Sequence, residues 1–268
     1  MNKKLLAAAA TAAMLLSMTA CGSKESSDSS VSETEQVTEA ETTVEATEAE
    51  EETEAATEEE SAEESGEETE FEVPTVEFTP VEGLSENYAD LEKRCFAYDG
   101  TIYTLGESTL QDLIDGGIPF SEDEVNNVGN NVNKNYETAS YTVRINDYVT
   151  MQFSFMNNTD SNITEAECLL SYVRWYVLYV PQPDYEQERN DEITSSISDA
   201  AKKICFSFPL TLTKEQLLEN NSDTTEEDEY NNVKYRIDSE VYYVNSGYNF
   251  EFNKTTNQLE EVSISWLP

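Results

Sequence analysis

The chain has 268 residues, 56 of them acidic and 15 basic, for a formal charge of −41, and it contains no histidine. That charge argues against nucleic-acid binding, whose affinity rests on Lys and Arg displacing counterions from phosphate. The missing histidine excludes Ser-His-Asp triads, Cys-His nucleophiles and histidine-ligated metals.

Lys3 and Lys4 precede an apolar run from Leu5 to Leu16, which reads as the positive and hydrophobic regions of a secretory signal over residues 1–20. The run is too short for a permanent membrane-spanning helix. Met18-Thr19-Ala20-Cys21-Gly22 follows, and it resembles the lipobox of bacterial lipoproteins, with Met18 in place of the usual Leu. The resemblance implies cleavage before Cys21 and a diacylglycerol on its thiol, so that the lipid bilayer is the first partner. It also implies an extracytoplasmic chain held on the membrane of a bacterial, Gram-positive-type surface. Two acyl chains suffice for stable anchoring. The alternative is an ordinary signal peptide in which Cys21 is incidental.

Residues 21–72 form the next segment. From Gly22 to Glu72 there are 21 Glu or Asp against the single Lys24, and most of the rest is Ser, Thr and Ala. Such a segment buries too little apolar surface to offset its ordering entropy, and a disordered tether is expected. As a flexible coil it would span about 40 Å, with a stretched limit of roughly 170 Å. A solvated spacer is the first reading of this run; a divalent-cation sponge or a glycosylated stalk are the sharper ones.

Residues 73–268 carry 35 acidic and 12 basic side chains together with nearly all the aromatics, enough for a real core. Pro74 and Pro80 predict an extended entry. Leu91 to Arg94 leads into Cys95-Phe96, and Asp99-Gly100 predicts a two-residue hairpin between Phe96 and Tyr103. Ser108 and Gln111 read as a capping box opening a short helix on Leu110, Leu113 and Ile114, stopped by Gly116-Gly117. Glu122, Asp123 and Glu124 then read as part of an acidic loop.

Strands are predicted at Tyr141-Val143-Ile145, at Val149 to Phe155 by strict alternation, and at Val173-Trp175. The apolar run Leu169 to Val180 exceeds the needs of one exposed sheet face, so it is buried on both sides or part of an interface. Ile193, Ile197, Ala200, Ala201 and Ile204 recur at helical spacing and predict an amphipathic helix over residues 190–204.

The pattern then repeats. Thr213 and Gln216 form a second capping box, with Leu217 and Leu218 on the helix face and Asn220-Asn221 as its stop. Strands follow at Val233-Tyr235-Ile237, Tyr248-Phe250-Phe252 and Val262-Ile264-Trp266, separated by polar turns. The expected fold is α+β: two tandem units, residues 73–183 and 184–268, each a short helix or helix pair packed on a three- to four-stranded antiparallel meander.

The segment Phe96 to Leu113, with Asp99-Gly100, Ile102-Tyr103, Ser108 and Asp112-Leu113, resembles a recurrent pattern in surface lipoproteins of gut-type Firmicutes. The tandem layout is similar to the β-lactamase inhibitory protein fold, and the single unit to the SmpA/OmlA-type assembly lipoproteins. These resemblances imply an architecture and carry no catalytic residues, so an inhibitor role would rest on analogy.

Three kinds of side chain are candidates for chemistry. Cys95 and Cys205 occupy equivalent places in the two halves and are a candidate disulfide; with Cys168 they are equally readable as small core residues. Carboxylates are too plentiful for any pair to stand out, although Glu226 to Glu229 cluster in one predicted loop. No motif for a catalytic residue, a metal site or a cofactor is present.

Tyrosines are the better hint. Tyr172, Tyr176, Tyr179, Tyr242 and Tyr243 lie off the main apolar alternation, where amphipathic rings on an open sheet face would suit protein or glycan contact. The expected function is a non-enzymatic binding ectodomain for an unidentified protein or cell-envelope ligand. The alternatives are an inhibitor of a secreted enzyme and a carboxylate-only glycoside hydrolase.

Overall fold

The computed structural model describes residues 71–221, 226–239 and 241–268. The signal segment, Cys21 and all but the last two residues of the tether lie outside the described residues. Residues 71–81 enter without regular structure, and Val76 N donates to Thr211 Oγ1 at 3.3 Å, tying the entry to the second half.

Strands β1 (Cys95–Tyr98) and β2 (Thr101–Thr104) form the expected hairpin. Asp99 and Gly100 have φ of 45° and 81°, which suits a type I′ turn and the twist of the flanking strands. Helix α1 (Leu110–Asp115) follows, with Leu110 and Leu113 fully buried. Its cap is Thr109 with Asp112, one residue beyond the predicted Ser108–Gln111 pair. Ser108 is used otherwise: its Oγ accepts from Thr104 N at 3.0 Å, and its carbonyl accepts from Leu170 N at 2.7 Å.

The expected acidic loop is instead helix α2 (Glu122–Asn127), where Ser121 and Glu124 make a reciprocal capping box and three acidic residues sit at the positive end of the helix dipole. Strands β3 (Asn131–Val132), β4 (Tyr141–Arg144), β5 (Val149–Met156), β6 (Ile163–Thr164) and β7 (Leu169–Val177) complete the first half. Helix α3 (Gln187–Ala201) buries Ile193, Ile197 and Ala200. Then come β8 (Ile204–Cys205), helix α4 (Lys214–Asn220) with the predicted Thr213–Gln216 box, β9 (Glu226–Glu227), β10 (Asn232–Asp238), β11 (Asn245–Phe252) and β12 (Leu259–Ser265).

The two meanders join edge to edge. One seven-stranded antiparallel sheet runs β4-β5-β7-β12-β11-β10-β9, and its seam is the pairing of β7 with β12, the last strand of each half. The arrangement is nearly symmetric about that seam. In the first half the cap of α1 is stitched to the start of β7 by Leu110 N to Cys168 O (3.1 Å) and Leu170 N to Ser108 O. In the second, Lys214 N to Asn257 O (3.0 Å) and Leu259 N to Leu212 O (2.8 Å) stitch α4 to the start of β12.

One face of this sheet is closed. Strands β2-β1-β8 form a smaller sheet of their own, and rings link the two. Phe96 lies 5.9 Å from Phe153 and 6.2 Å from Phe206, and Phe208 lies 5.1 Å from Phe250, centroid to centroid. Offset and edge contacts of this kind add to the area the rings bury. Arg94 is buried at the entry to β1, where Nη1 donates to Ser246 Oγ at 2.9 Å and its Nε to Leu91 O at 3.0 Å; burial lowers the guanidinium's pKa.

Strand β7 resolves the question raised by its long apolar run. Leu170, Val173, Trp175 and Val177 are buried, whereas Tyr172, Arg174 and Tyr176 between them are half-buried. The strand is interior to the sheet yet open on one face.

Candidate functional site

The outward residues of β5, β7 and β12 are only partly buried, and the rows they form follow from the pairing register. One row across five strands reads Ser154, Tyr172, Ser265, Gly247 and Arg236. The next row reads Gln152, Arg174, Ser263, Asn249 and Lys234, and the third Thr150, Tyr176, Glu261, Glu251 and Asn232.

The first row forms the floor of two adjoining hollows. The larger, about 530 Å³, lies over Ser154, Tyr172 and Ser265 and is walled by Tyr136, Tyr242 and Trp266. The smaller, about 280 Å³, lies over Ser265, Gly247 and Arg236 and is lined also by Asn249 and Ser263. They share Asn245 and Ser265, so together they make one trough running across the strands and over the seam.

Each wall is held by backbone pairing or packing. Tyr136 is placed by Asn157 N donating to its carbonyl at 3.0 Å, while Asn135 N donates to Asn157 O at 2.8 Å. Tyr242 belongs to the loop between β10 and β11, closed by Ser239 N to Val244 O at 2.9 Å. Trp266 continues β12 through its backbone N–H to Ser171 O at 2.7 Å, and its indole lies where a Cβ on Gly106 would stand. Gly106 also has φ of 80°, so a glycine is required there on both counts.

Of the five tyrosines singled out by sequence, the structure brings Tyr172 and Tyr242 into the trough. Tyr176 shares the open face two rows from Tyr172, with the Arg174 guanidinium 4.7 Å from its ring centroid. Tyr243 is at the loop tip, 91% exposed with φ of 55°. Tyr179 belongs elsewhere: it lies past the end of β7, 6.3 Å from Tyr148 and 5.0 Å from Arg189.

Two of the aromatic walls carry no sequence signal of a site. Tyr136 is hidden in an Asn-rich stretch without periodicity. Trp266 continues the alternation of β12 and so reads as a core residue; it is in fact half-buried, packed on Gly106 and lining the trough.

The centre of the open face is an ionic and amide network. Arg174 Nη2 bonds the Glu261 carboxylate, which holds the guanidinium's pKa up, and its Nη1 donates to Gln152 Oε1 at 3.2 Å. Glu251, opposite Glu261, is raised by burial and by that neighbouring carboxylate. Burial also raises the Tyr172 phenol, against a hydrogen bond with Ser263. Two buried polar atoms of this face, Arg174 Nε and Asn249 Oδ1, have no hydrogen-bond partner among the described residues.

The remaining sequence candidates are structural. All three described cysteines are free. Cys205 stands opposite Ala97, two places along β1 from Cys95, which is a diagonal rather than a facing position. Burial raises all three thiols, and the effect is largest for Cys168, pushed up to about 11.

The acidic stretch from Glu226 is the edge strand β9 and its turn, not a loop set to hold a cation. Lys234 Nζ meets Asp228 Oδ2 at 2.7 Å, and Lys214 Nζ meets Glu227 Oε2 at 3.0 Å. No group of three or more Cys, Asp or Glu side chains among the described residues is placed to hold a metal ion. No described helix is long and apolar enough to cross a membrane.

No protein-family model, curated protein or solved structure matches this chain.

Proposed function

We propose that the protein is a membrane-anchored extracytoplasmic lipoprotein whose ectodomain is a non-enzymatic binding module. Diacylglycerol on Cys21 would hold it at a Gram-positive-type surface, and the acidic tether would keep the ectodomain clear of an anionic bilayer that repels it. The observation that carries the binding reading is the aromatic-walled trough over the β7–β12 seam. Concave sites with a few convergent polar groups are the ordinary form of a ligand site.

Glycoside hydrolysis is supported by one observation only: Glu251 and Glu261 face each other across β11 and β12, and Glu251 is raised. A glycosidase needs its two carboxylates to flank the scissile bond. Here Glu261 is already engaged by Arg174 on an open sheet face, so binding is the better-supported reading. An inhibitor role would use the same trough toward a protein partner.

Expression in a Gram-positive host tests both parts. The wild-type chain should fractionate with the membrane and take up labelled fatty acid, and Cys21→Ser should do neither. Secreted Cys21→Ser chain should be retained by intact cells or envelopes, and Tyr172→Ala with Tyr242→Ala should abolish that retention. A Cys21→Ser chain still tightly bound to membrane, or retention indifferent to the two tyrosines, would overturn the respective part.

A further inference from the structure

We infer that the trough takes a neutral oligosaccharide chain, an inference that rests on the binding-module reading above. Four features of the trough select this chemistry.

Apart from Tyr172, Gly247 and Arg236, the floor and its surround are small polar groups. Ser154, Ser263, Ser265, Asn245 and Asn249 present hydroxyls and amides, which match the alternating donors and acceptors of sugar hydroxyls. Protein–protein interfaces are depleted in serine, and their energetic centres seldom use it. Asn249 Oδ1 is buried beneath this floor and has no hydrogen-bond partner among the described residues. Its Nδ2 is already committed to Glu251 Oε1 at 2.9 Å.

The walls, together with Tyr172 of the floor, are aromatic. Tyr136, Tyr172, Tyr242 and Trp266 offer apolar ring surface with polar tips, suited to the C–H faces of pyranose rings.

The lining is electrically quiet. Among the described residues the one carboxylate lining the larger hollow, Glu137, accepts from Ser171 Oγ at 3.0 Å, and Arg236 in the smaller one meets Glu226 Oε2 at 3.4 Å. The charged side chains among the described lining residues are engaged within the protein, and the acidic excess of residues 73–268 repels polyanionic glycans. The trough also has the right length. It crosses five strands at about 4.8 Å each, roughly 19 Å from end to end, which suits a short chain rather than a single sugar.

The test uses the whole mature chain with Cys21→Ser, titrated with neutral tetrasaccharides of glucose, xylose, mannose and N-acetylglucosamine. Calorimetry and tryptophan fluorescence report binding, and thermal unfolding confirms that each variant is folded. At least one tetrasaccharide should bind saturably. Tyr242→Ala, in an exposed loop, and Tyr172→Ala should each weaken it about tenfold, whereas Tyr179→Ala, outside the trough, should not.

Binding that both trough variants leave intact would overturn the assignment to this site. If no tetrasaccharide binds, and envelope retention is Tyr172-dependent but lost when envelope proteins are digested, the saccharide inference falls while the binding module stands with a protein partner. If neither sugars nor envelopes are bound, both readings fall.

Discussion

The two faces of the seven-stranded sheet are built from alternate residues of the same strands and carry opposite chemistry. On β7 the inward residues Val173, Trp175 and Val177 are buried in the core, while the outward Tyr172, Arg174 and Tyr176 are half-exposed. On β12 the same holds for Val262 and Ile264 against Glu261, Ser263 and Ser265. Folding is driven from the inward face, so the outward face is free to carry hydroxyls, amides and an ion pair that contribute little to stability. That division is what lets a polar, aromatic-walled trough lie over the β7–β12 seam.

Substituting neighbours on one strand gives the largest contrast. Trp175→Ala, at a fully buried position, should cost about 3–5 kcal/mol in urea unfolding, whereas Tyr176→Ala should cost about 1 kcal/mol or less. Equal costs would mean that the open face is buried in solution and would break the comparison.

A smaller effect tests the seam. Gly106→Ala places a Cβ against Trp266 at positive φ, and a loss of about 1–3 kcal/mol is expected, with a shift in tryptophan emission. An unchanged spectrum would show that Trp266 does not rest on this glycine. Next come the paired helix starts. Thr109→Ala and Thr213→Ala should each cost about 1 kcal/mol in thermal or urea unfolding, since each removes an equivalent cap. Markedly unequal losses would argue against the near-symmetry of the halves.

The mildest test concerns the sheet edge and pH. The Lys234 ammonium holds the Asp228 carboxyl well below the usual carboxylate range, helped by the amides of Asn232 and Tyr230. A depressed folded-state value stabilises above the unfolded pKa of about 3.9, and that contribution is lost as pH falls through the folded-state value. Asp228→Asn should therefore be slightly less stable than the parent at neutral pH, and the gap should close in strong acid. A gap independent of pH would refute the linkage.

Much of the fold was legible because it is local. The alternation in Val149 to Phe155 and in Tyr248 to Phe252, the Asp99-Gly100 turn and the Thr213–Gln216 box each depend on residues close in sequence, and the structure shows β5, β11, the β1–β2 hairpin and α4 there. Local signals also misled. Ser108 and Thr109 are both capping residues, and only the pairing of Ser108 and Leu110 with Cys168 and Leu170 makes Thr109 the cap. The Ser121–Glu124 box was visible in the sequence but hidden by the acidity of its neighbours.

The site was half legible. Tyr172 and Tyr242 stood out because their rings break the apolar alternation, but nothing local brings them to one place. Tyr136 and Trp266 had no signal that distinguishes a wall from a core residue or a loop.

By itself the sequence determined the α+β class and the repeat of helix and meander, and its charge and lack of histidine narrowed the available chemistry. Whether the two meanders would stack, separate or merge was decided only by the tertiary structure. Strand edges carry unpaired N–H and C=O groups that any compatible strand can satisfy, and no local pattern says which one does. Here β7 took β12, and that single pairing placed Tyr172 beside Ser265, formed the trough and set the tyrosines of both halves around it.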